Sequence, residues 1–142
     1  MEPSIVLAPG ATDSALCSML ATLIRQTLDE DPSKKPVVAR MSGRIAIVAP
    51  DLDQSLTLLF DGQRVELHAG IVGIPDITVR APAEWIMKMS LIELTPRLRL
   101  PNPRGKIMRE VFEASHDGTI EVHAAPTSVP LLLRFTRLMS VV

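Results

Sequence analysis

Aromatic side chains are scarce in this sequence of 142 residues, which has no tyrosine, one tryptophan and three phenylalanines. Proteins that bind single-stranded nucleic acid usually stack bases on aromatic rings, and nucleic-acid binders generally carry a surplus of basic residues. The formal net charge here is −1. The sequence therefore predicts no nucleic acid partner, and it leaves the packing of the interior to aliphatic and methionine side chains.

Cysteine and long apolar runs are also nearly missing. The single cysteine, Cys17, cannot form a disulfide within the chain, which is typical of proteins from a reducing compartment. No apolar run approaches the ~20 residues that a membrane-spanning helix needs. The first residues lack the basic segment that opens a secretory signal. We therefore expect a soluble, cytoplasmic protein.

Motifs of catalysis are missing as well. The sequence has no Gly-x-Ser-x-Gly elbow, no glycine-rich phosphate loop and no Cys-x-x-Cys pair. Residues 115–117 read Ser-His-Asp, but they precede a turn glycine and are interpreted as a helix end. His68 and His123 lie on the outward faces of predicted strands and would share a metal only if those strands were neighbours. The sequence thus favours a non-catalytic protein and predicts no cofactor and no metal.

The sequence begins with an irregular segment that is followed by a helical pattern. A hydrophobic content of 46% is typical of a folded chain, and the length predicts a single domain over residues 1–142. Residues 1–11 contain two prolines and predict an irregular lead. Residues 12–29 carry apolar side chains three and four positions apart, which predicts a helix capped by Asp13.

Alternating apolar residues follow that helix and predict a meander of four antiparallel strands with one polar and one apolar face. The predicted strands are Arg44–Ala49, Ser55–Phe60, Arg64–Ala69 and Asp76–Arg80. Asp61-Gly62 joins the second strand to the third and is a strong signal of a tight hairpin.

The second half returns to helical patterns around one more strand. A helix is predicted after Pro82, and a second one after the Asn102-Pro103 step. Thr119–His123 predicts the fifth strand, and Thr127 or Ser128 caps a closing helix. The predicted fold is therefore α+β, with a five-stranded, mostly antiparallel sheet and helices packed on one of its faces.

The closing helix over residues 128–142 is apolar on almost every side, with only Arg134 and Arg137 charged. Such a helix is either buried all round, or covers something hydrophobic, or dimerises. Methionines concentrate in the same half of the sequence, and methionine adapts to irregular apolar shapes. These features indicate an apolar ligand cavity, with plain core packing as the alternative.

A run of basic residues without any acid between them precedes the closing strand and helix. It consists of Arg97, Arg99, Arg104, Lys106 and Arg109. One interpretation is a solvated loop and helix start. The other is transient contact with a lipid headgroup, a phosphate or a membrane surface.

From Gly43 to its end the sequence resembles the sterol-carrier-protein domain family, type two. Ser42–Ile45 matches the family's first strand, which opens near a glycine, and Ser55–Gly62 matches its alternating strand and turn. Pro75–Trp85 looks like the family's strand entering a helix, and Gly118–Leu138 looks like its last strand and apolar closing helix. The segment 94–115 is longer than the family's usual connector and adds a helix.

The resemblance implies an apolar tunnel between sheet and helices that takes fatty acids, acyl-CoA, sterols or isoprenoid lipids. The implied lining comes from the sheet and from the helices: Leu56, Leu58, Val65, Leu67, Ile77, Val79, Trp85, Met89, Ile92, Leu132, Phe135 and Met139. The resemblance therefore implies a protein that binds and transfers a hydrophobic ligand without catalysis.

Two other functions stay open at this stage. The closing helix 128–142 could be the surface of a homodimer or of an accessory module for a partner enzyme, in which case Leu132→Asp or Phe135→Asp would break the assembly. A small enzyme acting on a hydrophobic substrate would need His68 or Glu66 as its base, although alternation places both side chains on the outward face.

Overall fold

Within residues 4–88, 102 and 104–139, which the computed structural model describes, the chain forms six strands and five α-helices. The strands are β1 (Ser4–Leu7), β2 (Ser42–Ala49), β3 (Gln54–Asp61), β4 (Arg64–Ala69), β5 (Ile77–Arg80) and β6 (Glu121–Ala124). The helices are α1 (Ala15–Glu30), α2 (Lys35–Ala39), α3 (Ala83–Lys88), α4 (Lys106–His116) and α5 (Val129–Met139). The predicted α+β class is confirmed.

The prediction of an irregular segment before the first helix was wrong. Strand β1 lies within the segment expected to be irregular, and it pairs in parallel with β4. This pairing raises the number of strands from the predicted five to six. The cap of α1 also differs, since the Ser14 hydroxyl, not Asp13, accepts a hydrogen bond from Cys17 N at 3.3 Å.

The six strands form one mixed sheet in the order β1-β4-β3-β2-β5-β6. The pairs β2–β3, β3–β4 and β5–β6 are antiparallel, whereas β1–β4 and β2–β5 are parallel. The predicted meander holds for the first three of its strands. The fourth, β5, lies beside β2 rather than beside β4, so the chain crosses the sheet between them.

The hairpin between β3 and β4 has the predicted turn. Gly62 has a φ of +90°, a conformation that glycine adopts without the steric cost other residues incur. Asp61 Oδ1 accepts hydrogen bonds from Gln63 N at 2.9 Å and Arg64 N at 2.7 Å. These bonds hold the pKa of the Asp61 carboxyl below its ordinary value. The sequence signal and the structure therefore agree at this turn.

Residues 70–76 cross the sheet on the face that the helices leave open, and we call this segment the crossover loop. It spans three strand spacings of about 4.8 Å, which seven extended residues cover easily. The buried Thr57 hydroxyl anchors it by donating to Gly70 O at 2.9 Å and accepting from Val72 N at 3.0 Å. Gly73 lies against the Arg44 guanidinium.

The opposite, inner face of the sheet is the core. Its central apolar residues pack with the buried stripe of α1, which includes Leu16, Leu20 and Ile24. Helix α5 lies on the same face, where the Phe135 ring meets the Phe60 ring edge to face. The prediction that helices pack on one face is confirmed, and α1 and α5 are the helices that fill its centre.

Candidate functional site

The inner face of the sheet is covered unevenly. Leu58 and Leu67, in the middle of the sheet, have no exposed surface. Val79 on β5 is 6% exposed, whereas its cross-strand partner Val122 on β6 is 40% exposed. The sequence correctly predicts that Val122 lies on the inner side, but no described helix buries it. The apolar face therefore remains accessible at its β5–β6 end.

The ligand residues implied by the resemblance divide between these two regions. Those at the centre form the packed core: Leu56, Leu58, Val65, Leu67, Ile77 and Phe135. Val79 and Met139 are also buried, while Trp85 and Leu132 are partly buried against the same core. Met89 and Ile92 lie outside the described residues. The structure thus brings most of this set onto one face, but packs its central part tightly.

Lys88 on α3 contacts both Trp85 on its own helix and Glu110 on α4. The Lys88 ammonium lies 4.7 Å from the centre of the Trp85 ring, within the range of a cation–π interaction. The same ammonium is 2.8 Å from Glu110 Oε2 on α4. Lys88 therefore links α3 to α4, and its ammonium group holds the pKa of the Glu110 carboxyl below its ordinary value.

Helix α4 is amphipathic, and only part of its apolar face is covered. Ala114 is buried and Val111 packs against the core. Ile120 N, just before β6, donates to Ala114 O at 3.2 Å, which holds the end of α4 beside that strand. Phe112, in contrast, is 54% exposed. The helix therefore extends the apolar region at β6 but leaves a large aromatic side chain in solvent.

The basic run predicted from the sequence is described only in part. Arg104, Lys106 and Arg109 are all exposed, the first just before α4 and the other two on it. Arg97 and Arg99 lie outside the described residues. Lys106 lies in the first turn of α4, where no acidic residue accompanies it. Because a cation there opposes the helix dipole, the stability of α4 does not explain this placement.

The polar residues of the enzyme alternative lie on the outer face of the sheet. His68 Nε2 is 3.2 Å from Glu66 Oε2, and Arg64 forms an ion pair with the same carboxylate. His68 and His123 lie on strands that three others separate, so they are about 19 Å apart. Within the described parts of the chain no three potential metal ligands cluster.

An open depression of about 550 Å³ lies where β5 and β6 meet the start of α5. Asp76, Thr78 and His123 contribute polar groups to it, as do the hydroxyls of Thr127 and Ser128. This surface is polar and wide, which is the opposite of what an apolar ligand requires. Val122 also lines this depression, which therefore adjoins the apolar β5–β6 end of the inner face.

Residues 20–100 match the SCP-2 sterol transfer family. The chain belongs to this family. Members of the SCP-2 family are associated with the binding or transfer of hydrophobic lipids, which confirms the resemblance seen in the sequence. The match begins inside α1, earlier than the expected start at Gly43. No curated protein sequence matches the chain significantly.

Solved structures with the same fold include other SCP-2 proteins. One, described as "UbiJ-SCP2 Ubiquinone synthesis protein", has a TM-score of 0.60 at 20% identity and covers 86% of this chain and 90% of its own. Another, a crystal structure of sterol carrier protein 2, has a TM-score of 0.50 at 12% identity and covers 83% and 88%. At these identities the likeness establishes the shared fold. No described helix of this SCP-2 chain is long and apolar enough to cross a membrane.

Two features of the SCP-2 site escaped the sequence prediction. Helix α1 was expected as a separate element, yet it fills the centre of the face that was expected to form a tunnel. The sequence pattern groups Phe112 with Ile107, Met108 and Val111 on one apolar face of the helix predicted after Asn102-Pro103, yet Phe112 is more than half exposed. Only the packing of α4 against β6 and α3 reveals which part of its apolar stripe stays open.

Proposed function

We propose that this SCP-2 domain binds an apolar ligand, of the fatty acid, acyl-CoA, sterol or isoprenoid class, and transfers it without catalysing a reaction. The proposed site is the β5–β6 end of the inner face together with α3 and α4. The observation that carries the proposal is the exposure of Val122, which continues an apolar face that is buried at Val79. Family membership supports the same function.

The proposed lining follows from exposure and position. Val79 pairs with Val122, and Trp85 belongs to α3, which Lys88 links to α4. Leu132 and Met139 belong to α5. We keep Met89 and Ile92 in the lining on the strength of the sequence. The fully buried residues of β3 and β4 belong to the packed core at the centre of the same face. Apolar burial contributes roughly 25 cal/mol per Å² before the costs of ordering the ligand.

The test of this function begins with native mass spectrometry of the purified protein, followed by organic extraction and identification of any bound lipid. We expect a stoichiometric apolar adduct, or its reappearance when fatty acid is added to the delipidated protein. A protein that carries no adduct and takes up none of the four ligand classes would contradict the proposal.

Trp85 gives a direct optical signal, because it is the single tryptophan of the chain. Energy transfer from Trp85 to a fluorescent fatty acid should report occupancy close to α3. Val122→Asp should weaken this binding at least about tenfold, since it places a charge on the apolar face. Ile74→Asp is the matched control, because Ile74 is 85% exposed on the crossover loop of the outer face. It should bind as the unmodified protein does.

The alternatives differ from the carrier in measurable ways. The dimer alternative uses Phe135, which is 9% exposed and packs against Phe60. The enzyme alternative uses Glu66 or His68, which contact each other on the outer face. A ligand-free dimer in solution would favour the first alternative. Turnover of an apolar substrate that His68→Ala abolishes would favour the second.

A further inference from the structure

One side of α4 combines a large exposed aromatic ring with basic residues. Phe112 is 54% exposed, and its neighbours three and four positions away on the helix are Met108, Arg109, Ser115 and His116. None of these four neighbours is acidic. An exposed ring flanked by basic residues suits a partner that accepts both an apolar group and positive charge.

One of the two acidic residues of α4 pairs with α3, and the other lies among the basic residues. Glu110 forms its ion pair with Lys88 on α3, and the charge of each is thereby neutralised. Glu113 lies between Lys106 and Arg109 in the helical repeat, so it offsets one of these two cations. Together with Arg104, two positions before the helix, Lys106 and Arg109 outnumber Glu113 and leave an excess of positive charge on this side. This charge is complementary to an anionic surface.

We propose that α4 docks this SCP-2 domain on an anionic lipid bilayer, with Phe112 inserted at the boundary of headgroups and acyl chains. Arg104, Lys106 and Arg109 then contact lipid phosphates. The exposed apolar group is too small for a stable protein interface, which needs about 800 Å² on each partner. A bilayer requires less, because a few apolar groups combine with electrostatic attraction.

Docking would place the proposed carrier where it can exchange ligand with the bilayer. This role in ligand exchange rests on the proposed function. Lys88 joins α4 to α3, which carries Trp85. An α4 held on the membrane would therefore bring the apolar β5–β6 end close to the bilayer. The binding of the protein to vesicles is nevertheless independent of whether any ligand is bound.

Flotation of the delipidated full chain with vesicles tests the proposal. Vesicles of phosphatidylcholine with about one quarter phosphatidylglycerol should bind the protein, and pure phosphatidylcholine vesicles should bind it far more weakly. Phe112→Ser should lower the affinity at least about tenfold. Ile74→Ser, on the outer face, is the matched control and should leave it unchanged. Arg104→Gln, Lys106→Gln and Arg109→Gln should each lower the affinity about fivefold.

Equal binding of Phe112→Ser and the unmodified chain would overturn the proposal, as would equal binding to neutral and anionic vesicles or binding to neither. A dimer in solution that Phe112→Ser dissociates would overturn it in favour of a second copy of the chain. Energy transfer from Trp85 to a fluorescent fatty acid, measured without vesicles, separates the two proposals. Ligand uptake without vesicle binding contradicts the docking alone, and vesicle binding without uptake contradicts the carrier alone.

Discussion

The ring of Phe60 on β3 and the ring of Phe135 on α5 pack edge to face, with their centres 6.2 Å apart and their planes at 71°. This pair connects the last helix of the chain to the middle of the sheet. Phe60 is 2% exposed and Phe135 is 9% exposed. The contact therefore fixes the position of α5 through packing within the chain.

Phe135→Ala should lower the free energy of unfolding by about 3–5 kcal/mol, because it removes a buried ring and leaves a cavity beside Phe60. Urea denaturation followed by circular dichroism measures this change. Val129→Ala on the same helix is the control, since Val129 is 43% exposed and its truncation should cost under ~0.5 kcal/mol. Equal stability of the two variants would mean that α5 is not packed as described.

Gly43 at the start of β2 has no room for a side chain. A Cβ added there would lie 2.7 Å from Asp76 Oδ2 and 2.9 Å from Leu131 Cδ2, and its φ of +138° disfavours other residues. Gly43→Ala should therefore destabilise the fold by about 1–3 kcal/mol. Gly118→Ala separates the cost of the backbone conformation from the cost of the steric clash. Gly118 also has a positive φ, but nothing lies within 4 Å of its Cβ position. A smaller loss at Gly118 is expected, and the reverse order would contradict the close approach of α5 to β2.

Thr57→Val should loosen the crossover loop. The substitution keeps the shape of the side chain but leaves Val72 N without its acceptor and Gly70 O without its donor. We expect a loss of about 1–3 kcal/mol and faster hydrogen exchange at the amide of Val72. Thr57→Ser keeps the hydroxyl and should retain the slow exchange. Unchanged exchange in Thr57→Val would show that the loop is held by other contacts.

Acid should weaken the fold through the carboxylates that accept backbone hydrogen bonds. The folded pKa of Asp61 and that of Asp117 are both below the ordinary value of 3.8, chiefly because Gln63 N and the Thr119 hydroxyl donate to them. A lowered folded pKa means that the stabilisation is present above the ordinary pKa and is lost as the pH falls through the folded value. The urea midpoint should therefore fall below about pH 4.

The variant Asp61→Asn isolates one of these groups, because its amide oxygen still accepts the bonds from Gln63 N and Arg64 N but does not titrate. Its urea midpoint should fall less steeply with acid than that of the unmodified chain. Identical slopes in the two proteins would assign the acid sensitivity to other carboxylates.

Local signals in the sequence predicted the elements well where both partners of a contact are close along the chain. The hairpin at Asp61-Gly62 and the strand Arg64–Ala69 have the predicted positions, since turn chemistry and alternation determine them locally. Strand Ser4–Leu7 escaped prediction because it is short, lies among prolines and is held by parallel pairing with residues sixty positions away. Its stability is a tertiary effect.

The candidate site was less predictable for the same reason. The pattern of Ile77 and Val79 indicates an inward face, but not that their strand pairs with β2 instead of β4. Whether an inward residue is buried depends on which helix lies above it, and α1 covers the centre while Val122 remains open. The apolar face was therefore predictable from the sequence, and its accessible end was not.

Strand β1 has a practical consequence for anyone who trims the chain to the residues that match its family. A fragment that starts at residue 20 would cut α1 within its second turn and would remove the strand that pairs with Arg64–Leu67 of β4. The bared edge of β4 would then present unpaired backbone groups, which recruit further chains and promote aggregation. Soluble fragments should therefore begin no later than Ser4, even though the family's own boundary lies deeper in the sequence.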